Sequence, residues 1–145
     1  MGLDMELIGK MYLWSNEEKK EEVEKVFEEL GFGVDSVTFE AITWRKANWI
    51  HKWFVDNVQD GKDDCGEYEV SKEKLEELKD VIDDILEHRD FAENLLPVQQ
   101  GFFFGGYEYD DYYFGELERT GKEIGKILDK WEVMKYVEFY YTSSW

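Results

Sequence analysis

Arg45, Trp49, Lys52 and Trp53 recur at spacings of three, four and seven or eight, the repeat that brings side chains onto one helix face. Lys46, Asn48 and His51 lie among them, and the stretch Ala41 to Val55 contains no acidic residue. The chain as a whole has 35 acidic and 17 basic residues and a net charge of −18, so this local positive charge is a departure from the background. Guanidinium and ammonium groups take phosphate or carboxylate, an asparagine amide takes the polar edge of a base, and indoles take a flat ring. These seven residues are therefore the expected lining of a site for an anionic, nucleotide-like small molecule. The alternative is structural: the cations pair with neighbouring carboxylates and the tryptophans belong to the core.

A second departure is Asn94 to Tyr107, NLLPVQQGFFFGGY, 14 residues without a charge in a chain that is 36% charged. Gly101, Gly105 and Gly106 allow close backbone approach. Gln99, Gln100 and Phe103 are expected to wall the same pocket, which the Gln99–Gly106 loop would close. A surface that meets a partner protein, or a buried strand at Phe102 to Phe104 with turns at each end, reads the same residues differently.

Other constellations carry less chemistry. Asp56 to Glu67 nearly fits a twelve-residue calcium loop, with Asp56, Asp60, Asp64 and Glu67 at positions 1, 5, 9 and 12. Val58 stands where the third position needs an oxygen, so these four carboxylates are weak metal candidates and no metal or other cofactor is expected. Cys65, His51 and Asp64 supply the residue types of a thiol nucleophile, base and orienter, a minor hydrolase alternative. Asp63, Asp64 and Glu67 around Cys65 would disfavour its thiolate. His51, on an otherwise apolar helix face, suits a core histidine that donates to a carbonyl or to Asp64. The acidic and aromatic run Tyr107 to Tyr113 caps a helix through Asp110 or Asp111, or imitates a nucleic-acid backbone with its bases.

A field of this sign repels nucleic acid and anionic membranes and favours basic partners. Cys65 is the one cysteine, which fits a reducing compartment. The N-terminal residues do not read as a signal peptide, and no stretch approaches about 18 apolar residues, so a cytoplasmic protein is expected. Acidity is even along the chain, no linker divides it, and a single domain over 1–145 follows; whether it forms a homo-oligomer is left open.

The positioning elements follow from periodicity. Alternation from Met1 predicts a strand continuing toward Tyr12. Ser15-Asn16-Glu17-Glu18 reads as a capping box, before a helix with Val23, Val26, Phe27 and Leu30 on one face that stops at Gly31. Val34 to Phe39 is extended. A second helix opens at Ala41 or Thr43 and runs to about Val58, with Trp44, Ala47, His51, Phe54, Val55 and Val58 on its core face. Glu67 to Val70 is extended, and Ser71 caps a third helix carrying Leu75, Leu78, Ile82, Ile85 and Leu86. A fourth covers about Tyr112 to Lys130, burying Phe114, Leu117, Gly121, Ile124, Leu128 and Trp131. Val137 to Thr142 is a strand. The fold class is α+β: a small sheet formed by the terminal strands, covered by about four helices.

MGLDMELIGKMYLW, WRKANWIHKWFVDNVQDGKDDCGEYEVS, LLPVQQGFFFGGYEYDDYYFGELE and the terminal YYTSSW together resemble a family of small phage and prophage proteins. The WRKAN…DDCGEY block is the most specific part, and Ser15 to Thr43 lies outside the resemblance. It implies a phage origin and action in the bacterial host cytoplasm, and it brings no catalytic residues. The expected function is a non-catalytic binding protein that antagonises a host defence factor by sequestering an anionic, nucleotide-like molecule. The alternative is an acidic inhibitor of the nucleic-acid-mimic or anti-CRISPR type, docking on a basic host nuclease or effector.

Overall fold

From Met5 to Gly9 every second residue is buried, the period that turns one strand face toward a core. The computed structural model describes residues 2–145, and this strand is β1, Asp4–Tyr12; Met1, where the expected strand began, lies outside the described residues. Its partners are β2 (Ser36–Arg45), β3 (Tyr68–Val70) and β4 (Val137–Ser144). The order is β2-β1-β4-β3 with every pair antiparallel, so the two terminal strands are the centre of the sheet. The architecture is α+β, as the strands expected at both ends implied.

One face of the sheet is core. Leu3, Met5, Leu7, Ile42, Trp44, Phe139 and Tyr141 merge there with buried side chains of α2 (Asn48–Asn57), α3 (Lys72–Glu87) and α5 (Asp111–Asp129). Each such side chain contributes about 1.5–3 kcal/mol when taken out of water. Two contacts fix the layers. The Trp44 indole N–H donates to Thr120 Oγ1 at 2.8 Å, and Phe54 stacks on Tyr141 at 4.0 Å. α3 and α5 approach closely because Gly121 has no side chain; a Cβ there would lie 3.1 Å from Ile82. Ser71 and Asp110 cap their helices through side-chain oxygens, and one-turn helices α4 (Ala92–Leu95) and α6 (Trp131–Met134) complete the set.

Several local expectations are corrected. The chain does not enter a helix at Ala41 or Thr43, because the β-branched and aromatic residues Val37 to Trp44 continue the sheet. Lys46 then takes φ +56°, which ends the strand and sets the direction of α2. α2 is buried on more than its expected face: Asn48, Trp49, Ile50 and Trp53 are buried with His51 and Phe54, since the loop before α5 covers its other side. Phe102 to Phe104 is a turn, not a strand. The first helix, α1 (Glu17–Phe27), is capped by Asn16 rather than Ser15, whose hydroxyl donates instead to Tyr12 O. α1 buries none of its side chains.

Candidate functional site

The segment between α4 and α5 has neither helix nor strand, so its backbone polar groups need partners elsewhere. Asn48, wholly buried at the start of α2, supplies three. Its amide N–H2 donates to Phe104 O at 3.2 Å and Gly106 O at 2.9 Å, and its Oδ1 accepts from Gln99 N at 2.8 Å. The Tyr113 hydroxyl donates to Leu96 O and the Tyr107 hydroxyl to Gly101 O. Gly105, at φ +105°, runs so close that a Cβ would sit 2.6 Å from Lys46 O. The loop is thereby braced against the α2 entry.

Bracing divides the three phenylalanines. Phe104 turns into the core beside His51 and Trp145, with ring centroids 5.6 and 6.0 Å away. Phe102 and Phe103 turn out, 82% and 51% exposed, with centroids 4.3 Å apart. Phe103 holds φ +61°, a backbone that costs a side-chain-bearing residue roughly 1–2 kcal/mol. The loop so presents two adjacent rings to solvent, within a segment that carries no charge.

Behind it runs a buried polar chain. His51 is wholly buried, with Nδ1 at 2.7 Å from the Tyr141 hydroxyl and Nε2 at 3.0 Å from Asp63 Oδ1. Trp145 Nε1 donates to the same carboxylate oxygen at 3.1 Å. An ionised carboxylate only accepts, so Nε2 donates to Asp63, and Nδ1 shares the second hydrogen bond with the Tyr141 hydroxyl. Burial holds the Tyr141 phenol well above its usual pKa, which keeps it protonated. The chain joins α2, β4, the terminal Trp145 and the turn after α2. The aspartate is Asp63, not Asp64. Asp64 accepts from the Tyr68 hydroxyl and Gly66 N, and the Tyr68 bond foremost holds its pKa below the usual carboxylate value. Both His51 nitrogens are engaged and Cys65 is exposed at φ +55°, so no thiol and base pair is formed between them.

The expected ligand residues divide into separate groups. Trp49, Lys52 and Trp53 line one cleft of about 300 Å³, walled by Asn57 and Asn94 to Pro97. Lys52 pairs there with Asp56 at 2.6 Å, which removes its net charge. Asn48 and Gln99 meet as the brace. Lys46 and Phe103 meet beside Gly2. Gln100 is exposed. Arg45, placed on β2 rather than α2, borders a different groove with Tyr112 and Arg119, facing Asp4 at 3.8 Å. Asp56, Asp60, Asp64 and Glu67 do not converge: among the described residues no group of three or more His, Cys, Asp or Glu could hold a metal ion. Sequence reasoning did not single out Phe102, Asp63, Tyr112 or Tyr141 as site residues; the uncharged run around Phe102 and the acidic, aromatic run through Tyr112 gave the signals. Among the described residues no helix is long and apolar enough to cross a membrane. No protein-family model matches the chain, and no curated protein or solved structure matches it.

Proposed function

We propose that this protein acts by docking on a basic protein, with Phe102 and Phe103 as the anchor. The observation that carries the reading is the pair of exposed rings on a loop braced by buried Asn48. Interfaces place aromatic anchors at an uncharged centre and charges at the rim. A ring already held in its presented position loses little freedom on binding. Lys46 lies beside Phe103, but the molecule as a whole is acidic, with a net charge of −18. Among the described residues every Lys or Arg ion pair except Arg45–Asp4 joins residues three or four apart, so these pairs are local and the excess of carboxylates leaves a negative long-range field. Such a field speeds encounter with a basic partner. In the phage setting that the sequence resemblance implies, the partner is a basic nuclease or defence effector in the host cytoplasm, and docking blocks it.

The test is affinity capture from bacterial lysate with the wild-type chain and a Phe102→Ser/Phe103→Ser chain, at about 0.1 and about 0.5 M salt. A basic protein retained at low salt, released at high salt and lost with the double variant is expected. No retained protein, or equal retention by a folded variant, overturns the reading. The cleft at Trp49, Lys52 and Trp53 favours a second reading, a small nucleotide-like ligand held against the edges of these buried indoles. Calorimetric titration with a nucleotide panel tests it, and heat that survives Trp53→Ala and Lys52→Ala counts against it.

A further inference from the structure

The excursion between β1 and β2 behaves unlike the rest of the fold. Of its side chains between Leu13 and Asp35 only Leu13 is buried, and α1 touches the short 3-10 turns at its own two ends. Val26, Leu30, Phe32 and Trp14 are 75%, 64%, 63% and 73% exposed. An eleven-residue helix with no buried face is marginal in water, because most helical stability in proteins comes from packing an apolar face. α1 carries Val23, Val26 and Phe27 at helical spacing, Leu30 follows in the 3-10 turn Glu28–Leu30, and all of these but the half-buried Val23 are exposed.

Charge restricts what can cover it. Glu22 and Glu24 lie beside the apolar residues on α1, and Glu28 and Glu29 adjoin Leu30 in the 3-10 turn that follows. Lys19 and Lys20 are paired to Glu22 and Glu24 at 2.8 and 3.8 Å, while Glu28 and Glu29 have no such partner among the described residues. A second copy would bring another −18 molecule against these carboxylates, and an anionic membrane or nucleic acid would meet the same repulsion. An apolar row between acidic margins is complementary to an amphipathic helix with Leu-like residues on one face and Lys or Arg at its borders.

We propose that the arm carrying α1 is a second docking surface, separate from the Phe102–Phe103 loop, and that its occupant is a basic amphipathic helix. Binding packs the partner's apolar face on Val26 and Leu30 and sets its cations against Glu22, Glu28 and Glu29. The arm becomes ordered in the process.

The probe is a synthetic amphipathic Leu/Lys helix about 18 residues long, with a scrambled peptide of the same composition and a Leu/Glu helix as comparisons. Calorimetry on the full chain should show the Leu/Lys helix binding at least about tenfold more tightly than either. Amide exchange should show new protection confined to residues 14–32. Val26→Ser/Leu30→Ser should weaken binding at least about tenfold, and Glu22→Gln/Glu28→Gln/Glu29→Gln should weaken it and flatten its salt dependence. The Phe102→Ser/Phe103→Ser chain should bind as wild type does, which separates this surface from the loop. Equal binding of the scrambled peptide, protection elsewhere, binding of the Leu/Glu helix, or self-association that Val26→Ser/Leu30→Ser abolishes each overturns the proposal. The glutamine variant keeps the apolar row and the serine variant keeps the charges. The test thus survives if one of them loses its helix by circular dichroism.

Discussion

At the scale of single residues, Asn48 and the tyrosines decide most. Asn48 is the one side chain that answers three backbone groups of an otherwise irregular segment. Asn48→Ala leaves Phe104 O, Gly106 O and Gln99 N without these partners. Each unsatisfied buried group costs about 1–3 kcal/mol, but the loop can swing toward water and recover part of it. A loss of about 2–3 kcal/mol in urea unfolding is therefore expected, with faster amide exchange over residues 99–106. An unchanged midpoint would mean that the loop does not depend on the brace. Tyrosine ionisation is the second residue-scale consequence. Tyr140 donates to Glu138 at 2.7 Å, and that bond foremost pushes its pKa up to about 12. Burial raises Tyr141 and Tyr113 as well. A phenol raised above its unfolded value contributes stability that is complete below about pH 10 and lost as pH rises through the folded value. The hydrogen bond to Asp64 raises Tyr68 and burial raises Tyr112 too, so absorbance at alkaline pH should show these five of the nine tyrosines ionising late, with unfolding setting in above pH ~10. Full ionisation of every tyrosine near pH 10 in a still folded chain would contradict it.

Elements show where the sequence is readable. The terminal strands were legible because apolar residues alternate through Met5 and Leu7 at one end and β-branched and aromatic residues run from Val137 to Thr142 at the other. α3 and α5 were legible because caps at Ser71 and Asp110 precede regular apolar rows. The junction at Ala41 to Asn48 was not. Its apolar residues suit either period, and the break is Lys46 at positive φ, which no local residue type announces. That single error moved Arg45 from a helix beside Trp49 to a strand end in another groove, and with it the expected ligand site. The surroundings of His51 were illegible for a different reason: Asp63, Tyr141 and Trp145 meet only because β4 crosses behind α2. Among elements, β2 also exposes a vulnerability. It is an edge strand, and its outward carbonyls at Thr43 and Arg45 accept from Arg119 Nη2 at 2.7 Å and the Tyr112 hydroxyl at 2.6 Å. Edge strands with free polar groups recruit other strands. Arg119→Ala/Tyr112→Phe should therefore associate with rising concentration in sedimentation velocity, while the wild-type chain should not change under the same conditions. A double variant that sediments as the wild type does would show that the edge needs no such cover.

The whole molecule is governed by a charge its ion pairs do not balance. Cations sit three or four residues from carboxylates along helices, where solvent screening leaves each exposed pair little weight. The net −18 remains as repulsion spread over 145 residues. Salt acts on both terms with opposite sign: it weakens the pairs and it screens the repulsion, with a Debye length of about 10 Å at 0.1 M. Because the pairs are short and already surrounded by water, and the repulsion is long-ranged and unopposed, screening the repulsion wins. The melting temperature should rise by several degrees, on the order of 3–6 °C, between about 0.02 and about 0.5 M sodium chloride. The same screening should slow capture of a basic partner by about tenfold or more, since steering depends on the unscreened field. Stability and association rate would then move in opposite directions along one salt titration. A melting temperature that falls with salt would place the stability in the local pairs, and an association rate indifferent to salt would leave the acidity without a part in docking.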